Sequence, residues 1–154
     1  MKILLVDDDV QFLDNLDAVL SGKEYRTVKF NDPVQALKAF EREEFDVVIT
    51  DLQMPAMDGI SVLKEVKKKR KNTYVFIMSG LPQVESALCA INHHAFAYFI
   101  KPLDSMRLLR TLAQIAEEIT SEQKERKKLD NFKSHFSELK KSIRKLDRIA
   151  ETFL

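Results

Sequence analysis

A single cysteine, Cys89, in 154 residues rules out an internal disulfide. Its neighbours Ala87, Leu88 and Ala90 mark it as a small core or helix-surface residue, not a nucleophile. Long apolar runs are missing too. No stretch of 18 apolar residues occurs, so no membrane-spanning helix is expected, and the first residues read as a strand, not as a secretory signal. The expectation is a soluble, cytoplasmic chain that does not engage a membrane. Neither sign of charge dominates, with 25 Lys and Arg against 24 Asp and Glu. The balance is uneven along the chain: residues 1–120 carry 15 basic against 18 acidic side chains, and residues 121–154 carry 10 against 6. A tail so mildly basic, with its signs mixed, gives no argument for nucleic acid as a partner.

What is present suits one α/β domain and an appendage, with 45% hydrophobic residues to build a core. The chain is organised around Val47-Val48-Ile49-Thr50-Asp51, a strand-forming run that ends in one carboxylate. The sequence Leu52-Gln53-Met54-Pro55-Ala56-Met57-Asp58-Gly59 then forces a loop before the next helical pattern. The chain opens in the same way: Ile3-Leu4-Leu5-Val6 leads into Asp7-Asp8-Asp9. If the two runs are neighbouring parallel strands, Asp7, Asp8 and Asp51 converge at one end of the sheet, and Asp9 opens the helix that follows as its cap or as a first-turn acid. Three such carboxylates repel one another, so either some are protonated or a cation sits among them. Oxygen-only ligands with places left for water suit Mg²⁺, with Mn²⁺ as the alternative ion.

Two later strands also end in polar groups. Tyr74 to Met78 runs into Ser79-Gly80, and Ala97 to Ile100 runs into Lys101-Pro102. A hydroxyl can hydrogen-bond a phosphoryl oxygen, and an ammonium can neutralise its charge. Alone, Ser79 would be read as a turn residue and Lys101 as a surface charge. As the ends of four strands, the set reads as a magnesium-dependent phosphoryl site.

Helical spacing connects these strands. Phe12, Leu13, Leu16, Val19 and Leu20 form the first stripe, which Ser21-Gly22 ends, and a strand follows from Tyr25 to Phe30. Asp32-Pro33 opens a helix bearing Val34, Ala36, Leu37 and Phe40. Another begins near Gly59 with Ile60, Val62, Leu63 and Val66, and the basic run Lys67 to Lys71 closes it, where cations oppose the helix dipole. Val84, Ala87, Leu88 and Ile91 mark the fourth helix. The last helix starts after Asp104 with Met106, Leu108, Leu109, Leu112, Ile115 and Ile119. Regular alternation predicts a doubly wound, flavodoxin-like parallel sheet of five strands in the order 2-1-3-4-5 with right-handed crossovers.

On Asp7-Asp8, the match D-x-x-M-P-x-x-D-G at Asp51 to Gly59, Ser79-Gly80 and Lys101-Pro102, the chain resembles the receiver domain of two-component response regulators over roughly residues 1–120. The resemblance implies that Asp51 accepts a phosphoryl group from a sensor histidine kinase or phosphotransfer protein, and that the chain is a switch, not an enzyme acting on a small substrate. It implies Mg²⁺ on Asp8, Asp51 and the Gln53 backbone carbonyl, with Asp7 holding a metal-bound water. Lys101 would bind the phosphate, Ser79 would be the switch hydroxyl, and Tyr98 the aromatic whose turn alters the face of the fourth helix, fifth strand and fifth helix. A cis peptide before Pro102 is also implied. Two positions depart from the family pattern. In Asn92-His93-His94-Ala95 a histidine stands where glycine usually precedes the alanine, at a place that often needs positive φ. Leu81, beside Ser79, is expected with Gln53 to stand near the phosphate and hinder water.

Residues 121–154 are read as an amphipathic extension. Leu129, Phe132, Phe136, Leu139, Ile143, Leu146, Ala150 and Phe153 alternate by three and four, the spacing of a coiled coil. Thr120 with Gln123 can form a capping box, so a break near Thr120 and one unbroken helix both fit. A homodimer through this stripe or through the fourth-helix face is one expectation, and packing within the chain is the other. A parallel pair would set Lys128 opposite Lys133 and His135 near Lys140. His135 lacks the following acid and the downstream proline of a kinase phosphorylation helix. A haloacid-dehalogenase-like phosphatase is the enzyme alternative, with Asp7-x-Asp9 and Ser79 as its first motifs, but its late acidic motif is missing. The sequence is equally compatible with a stand-alone relay and with the front end of a longer regulator.

Overall fold

The computed structural model describes residues 1–23 and 25–152. The chain divides into two compact units, Met1–Leu109 and Arg110–Leu154. In the first unit five parallel strands, β1 (Lys2–Val6), β2 (Arg26–Phe30), β3 (Val47–Asp51), β4 (Tyr74–Ser79) and β5 (Ala97–Ile100), form one sheet in the order β2-β1-β3-β4-β5. The helices α1 (Val10–Ser21), α2 (Pro33–Arg42), α3 (Gly59–Lys69) and α4 (Val84–Asn92) connect the strands in turn. This is the doubly wound order that the alternation of patterns predicts.

The central strands carry unbroken apolar runs because both faces of a parallel sheet are covered. All five residues of β3 are buried, as are four of five in β1 and five of six in β4. The edge strands β2 and β5 are more exposed. One face of the sheet packs with Phe40, Leu63, Val66 and Ala90 around Leu4, Val48 and Ile77.

Local chemistry sets the helix starts. The carboxylates of Asp9, Asp32 and Asp58 accept from the backbone amides of Phe12, Val34 and Ser61, each satisfying an orphan donor of a first turn. Lys67, Lys68 and Lys69 fill the last turn of α3 as the dipole favours. Lys67 donates to the carbonyls of Lys71 and Thr73, and Lys69 pairs with Glu41. Arg70 donates to the carbonyls of Phe40 and Glu43, both at 2.7 Å, and lies over the Phe40 ring, so it clamps the end of α2. Much of the basic run is thereby bound into the fold.

The fourth stripe turns out differently from a core stripe. Only Ala90 of α4 is buried, while Val84, Leu88 and Ile91 are 72%, 55% and 63% exposed. His94 takes φ 65°, the left-handed conformation anticipated for that position.

The helix α5 runs unbroken from Ser105 to Thr152. Thr120 does not cap a new segment: its hydroxyl donates to the carbonyl of Ala116, an ordinary mid-helix back-bond. In the second unit Leu129, Phe132, Phe136, Leu139 and Ile143 each expose about half of their surface or more, and Phe132 stacks on Phe136. The side chains of Leu146 and Ala150, and all of Phe153, lie outside the described residues.

Candidate functional site

Strand register brings the polar groups together. Val6 pairs with Thr50, Asp51 with Met78 and Ser79 with Ile100. Asp7, Asp51, Ser79 and Lys101 therefore end neighbouring strands at the carboxyl edge, the edge where open α/β sheets place their ligands.

Asp7 is fully buried, Asp51 is 7% exposed, and Asp8 is open to solvent. One carboxylate oxygen from each lies within 4.8 Å of the others. The Lys101 ammonium bridges the two buried acids, at 2.7 Å from Asp7 Oδ2 and 3.1 Å from Asp51 Oδ1. The other Asp7 oxygen accepts from the amide of Asp9 at 2.9 Å. Burial pushes the Asp51 carboxyl above its ordinary range; Lys101 pulls it back and the charges of Asp7 and Asp8 add to the rise, leaving it raised. Burial alone would lower Lys101, but its bonds to Asp7 and Asp51 outweigh that and hold it raised.

These donors fit a hard divalent cation. All are oxygens, one of the three acids faces water, and three carboxylates against one ammonium leave two negative charges to balance.

The backbone around Asp51 is also specified. The Thr50 hydroxyl donates to the Asp51 carbonyl at 3.0 Å, and the Leu52 amide donates to Met78 at 2.7 Å. Gly59, which opens α3, presses on the same peptide: a β-carbon there would meet the Asp51 carbonyl oxygen at 2.2 Å. Ala56 turns the loop with φ 69°, and Gln53 is exposed within it.

On the opposite side Ser79 is 1% exposed, and its hydroxyl accepts from the Leu81 amide at 3.2 Å. Leu81 itself is 65% exposed. Tyr98 is half-buried, with its hydroxyl 3.1 Å from that of Ser86 on α4. The Lys101-Pro102 peptide is cis. Phe12, read from the sequence as part of a core stripe, is only half-buried, and its ring centroid stands 4.2 Å from the Lys101 amine. Helical spacing shows which residues share a face, but not that one of them reaches a lysine 89 positions away.

A doubly wound sheet with acids, a hydroxyl and an ammonium at the ends of its strands defines a class of α/β signalling domain. The model of the response regulator receiver domain family matches residues 3–113, and the chain belongs to that family. Its fold is that of a phosphoacceptor switch. The transcriptional regulatory protein ZraR of Klebsiella oxytoca is 40% identical over 114 residues, which is 74% of this chain and 26% of that protein. The chain thus spans about a quarter of the length of the curated relatives it matches. Among solved structures, the signal receiver domain of an HD domain-containing protein from Pseudomonas fluorescens Pf-5 superposes with TM-score 0.74 at 32% identity, covering 78% of this chain and 97% of that one. The BeF3-activated receiver domain of DrrB gives 0.69 at 28%, covering 75% and 97%. No helix among the described residues is long and apolar enough to cross a membrane.

Proposed function

We propose that Asp51 is the phosphoacceptor of this receiver, taking its phosphoryl group from a sensor histidine kinase or a phosphotransfer protein. The observation that carries the reading is the Lys101 ammonium held between Asp7 and Asp51, with a carboxylate oxygen of Asp8 within 4.8 Å of one from each of those two acids. An Asp51 oxygen forms the new bond to phosphorus as the donor's P–N bond breaks, and the departing imidazole keeps or gains a proton. Lys101 moves from the Asp51 carboxylate to the phosphoryl oxygens and neutralises them. Asp8, Asp51 and the Gln53 carbonyl would hold Mg²⁺, with Asp7 binding one of its waters; the ion would supply charge neutralisation to the transferring group. A relative in the BeF3-activated form supports this assignment, since beryllofluoride mimics an acyl phosphate in shape and charge.

The same reading makes residues 1–120 the receiver and 121–154 its extension. Ser79, now bonded to the Leu81 amide, turns to the phosphate, and Tyr98 leaves Ser86 and turns inward. The face of α4, β5 and α5 then presents a different surface to a partner or to a second subunit, and the different affinities for the two forms do the switching. Leu81 and Gln53 set the lifetime of the acyl phosphate, Leu81 by obstructing water. An unchanged half-life in Leu81→Ala would remove that role.

Labelling with acetyl phosphate and Mg²⁺ tests the core of the proposal. Asp51→Asn is expected to abolish label; label that survives this change but is lost in Asp7→Asn would point to a phosphatase-like nucleophile. The exposed stripe of Leu129, Phe132, Phe136, Leu139 and Ile143 fits a coiled-coil seam. If it pairs two copies, Phe132→Ser with Phe136→Ser halves the mass measured by light scattering.

A further inference from the structure

Four residues around the amine form a closed circuit. Asp7 Oδ1 accepts from the amide of Asp9, and Asp9 Oδ1 accepts from the amide of Phe12 at 3.0 Å. The Phe12 ring stands 4.2 Å from the Lys101 amine, and that amine returns to Asp7 Oδ2 at 2.7 Å. One buried carboxylate thereby fixes both the start of α1 and the lysine, and the ring joins the two.

An ammonium has three N–H groups. In Lys101 one is donated to Asp7, and the ammonium is also paired with Asp51 at 3.1 Å. The aromatic face covers part of what remains, so bulk water has limited access to a side chain only 22% exposed. A ring quadrupole holds a cation over its face without dictating where each N–H of the ammonium points. Phe12 can therefore hold the amine both while it bridges the acids and when it swings toward a phosphoryl oxygen, as a directional hydrogen-bond acceptor could not.

We propose that Phe12 is a positioning residue for Lys101, its ring face keeping the amine at the acid edge and so governing the rate at which Asp51 gains its phosphoryl group. The second half of this statement rests on the reading of Asp51 as phosphoacceptor.

The test separates the face of the ring from its bulk. Phe12→Leu keeps most of the apolar volume and removes the face; Phe12→Tyr keeps both. Phe12→Met repeats the first comparison with an unbranched side chain that packs adaptably, and backbone amide spectra confirm that each variant is folded. In the isotope-labelled 154-residue chain, without divalent ion or phosphoryl donor, the ε-methylene and ammonium resonances of Lys101 are expected upfield of ordinary lysine positions in the wild type and Phe12→Tyr. They return to ordinary positions in Phe12→Leu and Phe12→Met. With acetyl phosphate and saturating Mg²⁺, Phe12→Leu is expected to label roughly three- to tenfold more slowly than wild type, with Phe12→Tyr close to it. Ordinary lysine shifts in the wild type, or labelling of Phe12→Leu at the wild-type rate, overturns the proposal. Equal slowing in Leu and Tyr variants also overturns it, since it leaves Phe12 a packing role only. A wild type that takes no label while keeping its upfield lysine overturns the phosphoacceptor reading instead, and the held amine stands.

Discussion

Gly59 lies so close to Asp51 that any side chain at position 59 would drive into the carbonyl of the acid it supports, with a β-carbon only 2.2 Å from that oxygen. The next nearest atoms are also backbone, at 3.0 Å, so no flexible side chain can yield. Gly59→Ala is expected to cost about 1–3 kcal/mol, as overpacked sites do. Urea unfolding measures the loss. If Asp51 is the phosphoacceptor proposed above, slower labelling should accompany it, because the peptide that moves is that of Asp51 itself.

Asp51 weakens the fold that carries it. Its raised pKa means that the folded state disfavours the charged carboxylate, chiefly through burial. Below the unfolded value of about 3.9 the acid is protonated in both states and there is no penalty. As pH rises from there through the folded value the penalty develops, and above it the full cost remains. Asp51→Asn is therefore expected to melt above wild type at pH 7 in chelator-containing buffer, by a shift on the order of a few degrees. The advantage should disappear toward pH 3. A variant that melts below wild type at neutral pH would contradict this.

A divalent ion should reverse that penalty. Mg²⁺ at 100 times its dissociation constant stabilises a folded chain by about 2.7 kcal/mol. The melting temperature of wild type should climb with Mg²⁺, and Asp8→Asn should flatten the response, since Asp8 is the solvent-facing acid of the cluster. Equal responses in both proteins would place the ion elsewhere.

The Ser86–Tyr98 hydrogen bond holds the tyrosine toward α4 at 3.1 Å. Ser86→Ala and Tyr98→Phe should each cost about 0.5–1.5 kcal/mol, and the double variant little more than either alone. Both should also favour the inward ring, read as exchange broadening on α4 amides before any phosphorylation. Additive costs would show that the two hydroxyls act independently.

Much of this site could be read along the chain. Asp7, Asp8, Asp51, Ser79 and Lys101 each follow an apolar run, and parallel pairing aligns the ends of such runs. Asp9 and Asp32 announced their helices because a cap is a matter of a few residues. What escaped depends on distance or direction. Phe12 sits at core spacing yet reaches Lys101 from another element, and the stripe Val84, Leu88, Ile91 has the period of a buried face while pointing outward. Thr120 could cap or back-bond with equal local logic, and the helix turns propagating on both sides decided for the latter.

The helix α4 has nine residues, one of them buried, and Gln83 at its start makes no side-chain capping bond. Little apolar area therefore anchors it, and its opening should require much less free energy than unfolding the five strands beside it. If Asp51 takes a phosphoryl group as proposed, a bond of a few kilocalories made or lost at the acid edge should then displace this helix before it loosens the sheet.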